Sequence, residues 1–239
     1  MTLCRRLVGE ALGTAFLLIA IVGSGIMAER LANGDAAIAL LANSIATGGA
    51  LVALIVTFAP ISGAHLNPAV TVALAASGNV NWEDVPGYVA VQFAGAILGV
   101  AAAHAMFGLP LLEWSMKSRP GFGQMWAEFV ATFGLLTIIL SCTASASRAI
   151  PYAVAAYITG AYWFTSSTSF ANPAVTVARA LTNTFAGIGK ADVPGFIAAQ
   201  AAAVLFALFL LPWLLEPRRS SQERPAAEHA SGRLSDRSR

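Results

Sequence analysis

The polar residues with the most distinctive spacing are two asparagines, each followed by a proline. The heptapeptide Asn-Pro-Ala-Val-Thr-Val-Ala occupies residues 67–73 and recurs unchanged at residues 172–178. Asparagine favours the cap position of a helix and proline its first turn, so each copy predicts a helix start. An asparagine amide at the positive end of a helix dipole can hydrogen-bond a neutral molecule while cations are repelled. The pair therefore predicts two helix starts with polar, electropositive tips.

Two glutamates, each at the start of an apolar segment, are the next candidates for chemistry. Glu10 is followed four residues later by Thr14, and Glu128 by Thr132. Carboxylates inside a membrane often mark proton or ion coupling, but a symmetric pair also fits a structural role. No nucleophile, general base and orienting residue occur together, and no glycine-rich phosphate loop is present. The sequence therefore predicts no enzyme activity.

Neither the histidines nor the cysteines suggest a metal site. His104 and His229 have no partners at ligand spacing, and Cys4 and Cys142 match no metal-binding or redox motif. We therefore expect no metal and no other cofactor.

The composition requires a membrane to solvate the helices that carry these residues. Hydrophobic residues make up 57% of the 239 and charged residues 11%, and the mean hydropathy is +0.69. A span of the bilayer core needs about 20 apolar residues, and period-two alternation typical of barrel strands is absent. We predict an all-α membrane protein with six spans: Leu7–Ala28, Ala36–Ala59, Pro86–Phe107, Gln124–Thr143, Ile150–Ser167 and Pro194–Leu215.

The chain contains an internal repeat. Besides the two motifs above, Asp-Val-Pro-Gly at 84–87 returns at 192–195, and Gln92 is matched by Gln200. Each half contributes three spans, an odd number, so the second half must be inserted in the opposite direction. We predict a first repeat at 1–107, an outer connection at 108–123 and a second repeat at 124–215. The tail at 216–239 has almost no apolar residues and is predicted to be disordered.

The repeated motifs lie between spans and begin short helical stretches, predicted at 68–77 and 173–183. At 1.5 Å per residue, each covers about half of a 30 Å hydrocarbon core. We therefore expect two half-helices whose tips meet near the midplane. Non-helical backbone before each tip is tolerated there only if it packs in protein or lines a wet cavity.

Basic residues predict which side of the membrane each connection faces. With both termini in the cytoplasm, the inner segments hold Arg5, Arg6, Arg148 and six tail arginines, against five basic residues outside. Positive charge is enriched on the cytoplasmic side. We expect a multi-pass protein of the cell inner (plasma) membrane with both termini inside.

The doubled motif, six spans and paired glutamates together resemble the aquaporin, or major intrinsic protein, superfamily over about residues 5–215. The resemblance implies an aquaporin-like right-handed bundle of six transmembrane helices plus two half-helices, and a homotetramer with one pore per subunit. The expected partners are neutral permeants and the lipid bilayer, with no nucleic acid. It also implies structural braces at Glu10, Glu128, Gln92 and Gln200, and pore motifs formed by Asn67, Pro68, Ala69, Asn172, Pro173 and Ala174.

The same resemblance implies a selectivity filter near the outer mouth. Fixed offsets from the two asparagines give its four positions as Thr47, Gly160, Ser169 and Val175. Water channels of this family usually carry an aromatic residue, a histidine and an arginine where Thr47, Gly160 and Val175 occur. The filter is thus expected to be wide, as in bacterial aquaglyceroporin-like arsenite channels, with glycerol, urea or trivalent metalloid acids as permeants besides water.

Two further residues and two rival functions complete the expectations. Arg179, one turn beyond Val175, is a candidate for the outer vestibule that partly restores the missing charge, or else a surface residue; His65 is expected to line the inner pore. A secondary transporter with inverted repeats is the main alternative function, and a strict water channel is another.

Overall fold

A computed structural model of the protein describes residues 1–145 and 147–215; the predicted disordered tail lies outside the described residues. The described part contains eight α-helices and no strand, which confirms the all-α fold class. The helices are α1 (Leu3–Leu31), α2 (Ala36–Ser62), α3 (Pro68–Ala76), α4 (Val85–Phe107), α5 (Phe122–Ala144), α6 (Ile150–Phe164), α7 (Pro173–Arg179) and α8 (Val193–Leu215).

Five of the helices, α1, α2, α4, α5 and α8, are long and apolar enough to cross a membrane. The sixth predicted span is shorter than expected, because α6 has 15 residues and ends at Phe164 rather than Ser167. Its cap, Thr165, is already in extended conformation. The residues that follow belong to the non-helical segment that leads to the second motif.

The half-helices α3 and α7 begin at the repeated prolines, as predicted. The Asn67 side-chain oxygen accepts a hydrogen bond from the Ala69 amide at 2.9 Å, and Asn172 accepts one from Ala174 at 3.0 Å. Such caps satisfy amides that have no partner within the helix. Both asparagines are therefore true helix caps.

α7 ends at Arg179, four residues before the predicted end at Asn183. The carbonyls of Ala180 and Leu181 accept hydrogen bonds from Ser115 and Glu113 of the outer connection, at 2.9 and 3.0 Å. Those carbonyls are thus paired outside the helix, and the chain continues as a loop under the outer connection. The predicted extension of the half-helix was wrong for this reason.

The packing of the long helices repeats between the two halves. α1 packs on α4 and α5 packs on α8, while α2 and α6 pack on each other across the halves. The half-helices contact both α4 and α8. Glycines permit the close α1–α4 crossing: a Cβ added at Gly95 would lie 2.3 Å from the Ala11 carbonyl oxygen, and one at Gly99 2.4 Å from that of Ala15.

We predict that Gly95→Ala destabilises the protein by about 1–3 kcal/mol, because the new methyl group forces α1 and α4 apart. The matched control is Gly49→Ala, where an added Cβ has nothing within 4 Å. The apparent unfolding temperature in detergent, followed by circular dichroism, should fall by several degrees for Gly95→Ala only. Equal temperatures for the two variants would contradict the close-packing argument.

Candidate functional site

The two segments that precede the half-helices have the same unusual backbone. Ala64 and Leu66 before Asn67, and Ser169 and Ala171 before Asn172, all have φ between 48° and 51°. This left-handed conformation is unfavourable for residues with a Cβ, by roughly 1–2 kcal/mol each. Such a conformation persists only where the surroundings fix it.

Glu10 fixes the first of these segments. Its carboxylate, fully buried, accepts hydrogen bonds from the His65 amide at 3.0 Å and the Leu66 amide at 2.7 Å. The Ser62 hydroxyl at 2.7 Å and the Gln92 amide nitrogen at 2.8 Å also donate to it. The carboxylate thus satisfies donors from α2, from the loop and from α4.

Glu128 has the same arrangement in the second half. It accepts hydrogen bonds from the Phe170 and Ala171 amides, both at 2.8 Å, and from Gln200 at 2.6 Å. The nitrogen of Gln200 also donates to Thr176 at 2.9 Å, just as that of Gln92 donates to Thr71 at 2.9 Å. Gln92 and Gln200 thus each connect a buried glutamate to a threonine of a half-helix.

The two asparagines meet at the centre of the molecule and bind each other's loops. The Asn67 amide nitrogen donates to the Ala171 carbonyl at 2.8 Å, and that of Asn172 donates to the Leu66 carbonyl, also at 2.8 Å. An asparagine amide has two N–H groups, so each retains a second donor beyond this bond. The tips of α3 and α7 are therefore joined.

A cavity of about 140 Å³ passes beside this junction and is lined by both asparagines. Most of its wall is apolar and comes from α1, α2, α5 and α6, with residues such as Leu17, Leu51, Leu135 and Val154. His65 also lines it, with its Nδ1 3.1 Å from the Thr71 hydroxyl. Besides the two asparagines, the polar side chains in its wall are those of Thr47, His65, Thr143, Tyr162, Ser169 and Arg179.

Three of the four predicted filter residues, Thr47, Ser169 and Val175, line this cavity, and Gly160 does not. The α6 residues that reach it are Ile158 and Tyr162. Residues two apart in a helix point about 200° apart. Gly160 is two residues from both Ile158 and Tyr162, so it faces away from the cavity. Counting from the motif therefore misplaced the α6 contribution; the Tyr162 hydroxyl instead lies 3.3 Å from the Thr47 hydroxyl.

Arg179 also lines the cavity and is 2% exposed, so it is not the surface residue of the alternative interpretation. Its Nε donates to the Ala186 carbonyl. Its guanidinium carbon lies 3.5 Å from the centre of the Phe170 ring, and Phe170 lines the cavity too. Arg179 thus lies in the cavity wall together with the predicted filter residues Thr47, Ser169 and Val175.

The outer connection, residues 108–123, packs on the loop that follows α7. Gly189 donates to the Lys117 carbonyl at 2.7 Å, and the Arg119 amide donates to Asp192 at 2.7 Å. Desolvation under this loop lowers the pKa of Lys117, and the positive charges of Arg119 and Arg179 lower it further. Burial likewise lowers the pKa of the Arg119 guanidinium, while Glu128 opposes the change. The connection thus brings two further basic residues, Lys117 and Arg119, near Arg179.

Sequence reasoning did not identify Tyr162, Phe170 or Arg119 as part of this site. Tyr162 follows Ile158 by one helical turn, a spacing that places both on one helix face, so it was detectable. Phe170 and Arg119 lie in non-helical segments, where spacing gives no indication of direction.

Residues 1–165 match the profile of the family described as Major intrinsic protein. The chain belongs to the major intrinsic protein family. A curated member, aquaglyceroporin AqpS of Rhizobium meliloti (strain 1021), is 52% identical over 217 residues, which are 91% of this chain and 93% of the relative. Aquaglyceroporin-3 of Trypanosoma brucei brucei is 40% identical over 152 residues, 55% of this chain and 49% of that protein.

Solved structures share the architecture of this major intrinsic protein. The X-ray structure of the aquaglyceroporin from Plasmodium falciparum superposes with a TM-score of 0.66, covering 90% of this chain and 99% of that one. The identity of 19% limits this similarity to the fold. Family membership together with the apolar helices makes the chain a multi-pass membrane protein.

We predict that Glu128→Ala destabilises this family member by at least about 3 kcal/mol, because it leaves three buried donors without their acceptor. The apparent unfolding temperature should fall, and amide hydrogen exchange in residues 168–171 should accelerate. Glu29→Gln, at an exposed glutamate, is the control and should behave as wild type. A Glu128→Ala variant as stable as the control would show that the carboxylate does not hold the loop.

Proposed function

We propose that this protein is a passive transmembrane channel for small neutral solutes, of the aquaglyceroporin type. The observation that carries the proposal is the largely apolar cavity beside the joined tips of α3 and α7, with both asparagines in its wall. A solute would cross unchanged, without covalent chemistry, so we propose no enzyme activity. Residues 1–107 and 124–215 serve as the two inverted repeats that enclose it.

The central asparagines orient the permeant in this proposal. Each amide nitrogen uses one hydrogen on the opposite loop and offers the other to the lumen. Both half-helices also direct their positive dipole ends to this point, which repels cations. Neutral molecules that accept hydrogen bonds can pass, while a continuous proton wire is interrupted.

The width of the outer end favours solutes larger than water. Thr47, Ser169 and Val175 are small or medium-sized side chains in the cavity wall, and no arginine occupies the position of Val175. We propose glycerol, urea and trivalent metalloid acids such as arsenite as permeants, with water. The names of two relatives given above, both aquaglyceroporins, support this class. The glycerol uptake facilitator protein of Bacillus subtilis (strain 168) is a further relative, 32% identical over 96 residues, 34% of each chain.

Arg179 supplies the filter with positive charge in the absence of an arginine at Val175. Arg179 is one turn further along α7 than Val175 and lies against Phe170. We propose that it repels cations without narrowing the lumen. His65 is proposed to line the inner end.

A secondary transporter and a strict water channel remain the competing functions. A transporter would give flux that saturates or depends on a proton gradient, whereas a channel gives flux that rises linearly with solute concentration. A strict water channel would conduct water but not glycerol. Swelling of reconstituted liposomes in each solute separates all three.

We further propose a homotetramer in the cell inner membrane, with both termini in the cytoplasm. The basic residues near the amino terminus and at Arg148 support this orientation. Lipid-exposed apolar side chains on several helices, among them Phe209 and Trp213 of α8, give surfaces that can contact lipid or another subunit.

We predict that Val175→Arg lowers glycerol and arsenous acid flux by about tenfold or more, equivalent to at least about 1.4 kcal/mol of added barrier. The long side chain would enter the wide end of the cavity, so water flux should fall least. Stopped-flow swelling of liposomes in water, glycerol, urea and arsenous acid measures all four, and Val175→Leu controls for the loss of valine. Equal loss of all four fluxes would contradict the filter assignment.

We predict that Arg179→Ala raises proton and sodium leak by about tenfold, because removing one fixed charge lowers the cation barrier by about 1.4 kcal/mol. Glycerol and arsenous acid fluxes should change little. Arg179→Lys, which keeps the charge, should retain the exclusion of cations. Unchanged leak in Arg179→Ala, measured with a pH-sensitive dye in the same liposomes, would remove Arg179 from the filter.

A further inference from the structure

The two halves differ at a position that supports the non-helical segment before each motif asparagine. Ser62 and Ser167 each lie five residues before a motif asparagine, and both are buried. In the first half the Tyr88 hydroxyl donates to the Ser62 carbonyl at 2.8 Å. The repeat pairs Tyr88 with Phe196, because each follows the Asp-Val-Pro-Gly sequence. Phe196 has no hydroxyl, so the Ser167 carbonyl in the second half needs a different hydrogen-bond donor.

Arg119, from the outer connection, supplies that donor. Its Nη1 donates to the Ser167 carbonyl at 3.1 Å and its Nε to the Gly187 carbonyl at 3.0 Å. Its backbone is fixed by Asp192, which receives the Arg119 amide hydrogen at 2.7 Å. A residue from outside the repeat thus makes the contact that Tyr88 makes within the first half.

We propose that Arg119 is a positioning residue for the selectivity filter and takes the place of the hydroxyl that Phe196 lacks. The proposal rests on the proposed function for its effect on transport. Arg119 connects two segments near the filter through its hydrogen bonds to the Ser167 and Gly187 carbonyls. Ser167 lies two residues before the filter residue Ser169. Gly187 follows Ala186, whose carbonyl accepts a hydrogen bond from Arg179.

The aromatic contacts place Arg119 behind the filter. Its guanidinium carbon lies 5.2 Å from the centre of the Phe170 ring, and Arg179 lies against the same ring at 3.5 Å. The Phe196 ring meets Phe170 edge-on, with centres 5.2 Å apart. Arg119 does not itself line the cavity, so it acts on permeants through the loop and through Phe170.

The test removes the donor and then restores it from Phe196. Arg119→Ala should accelerate amide exchange in residues 166–171 by about tenfold, as expected for loss of a charged hydrogen bond. The double variant Arg119→Ala with Phe196→Tyr places a hydroxyl where Tyr88 has one, and exchange should return toward the wild-type rate. Residues 61–66, the equivalent loop of the first half, should be unaffected in both variants and serve as an internal control.

Transport in liposomes gives the second measurement. The ratio of glycerol to water flux should change at least about twofold in Arg119→Ala and recover in the double variant, which general destabilisation would not produce. Exchange in 166–171 that is unchanged in Arg119→Ala, or that Phe196→Tyr fails to restore, overturns the proposal. A wild-type protein that conducts none of the neutral solutes would refute the proposed function, while the exchange comparison would still test Arg119.

Arg119→Lys keeps the comparison decisive if the alanine variant does not fold. A lysine ammonium retains the charge but lacks the planar fork that reaches two carbonyls at once. Exchange in 166–171 should then be faster in Arg119→Lys than in Arg119→Lys with Phe196→Tyr. Equal rates, or the reverse order, would overturn the proposal.

Discussion

The structure depends on satisfying two stretches of irregular backbone in the interior of a membrane protein. Amides that form neither helix nor sheet are costly to bury away from water, at several kcal/mol each in hydrocarbon. Glu10 and Glu128 solve this problem by accepting hydrogen bonds from consecutive loop amides. Five non-glycine residues in the left-handed conformation can therefore persist in these two segments, and the half-helix tips remain joined. The carboxylates are occupied by these hydrogen bonds, which argues against a role in proton coupling.

Sequence alone predicted the elements that depend on local chemistry or repetition. The starts of α3 and α7 followed from asparagine and proline. Prediction from the sequence failed where tertiary contacts determine the structure. The end of α7 is set by the outer connection rather than by helix propensity, and Gly160 was assigned by offset although the face of α6 toward the cavity is Ile158 and Tyr162.

The two halves share their backbone plan but not its supporting contacts. In the first half, the Ser62 carbonyl accepts its hydrogen bond from Tyr88, which lies within the same repeat. In the second half, the Ser167 carbonyl accepts its hydrogen bond from Arg119, which lies between the repeats. In a repeated fold, a hydrogen bond made within one half can therefore be replaced in the other half by a hydrogen bond from the connection between them. The connection then becomes part of the site, where it can alter selectivity without any change to the motifs.

Charge and width are separate properties at the outer end of this cavity. An arginine at residue 175 would combine them, since one side chain would both narrow the passage and repel cations. Here Val175 occupies the wall and the cation is held by Arg179, one turn along α7 and against Phe170. We propose that the guanidinium, held by the ring and by the Ala186 carbonyl, acts on the lumen through its charge and leaves the passage wide. In this proposal charge and width are set by different residues, so a wide passage can still oppose cations.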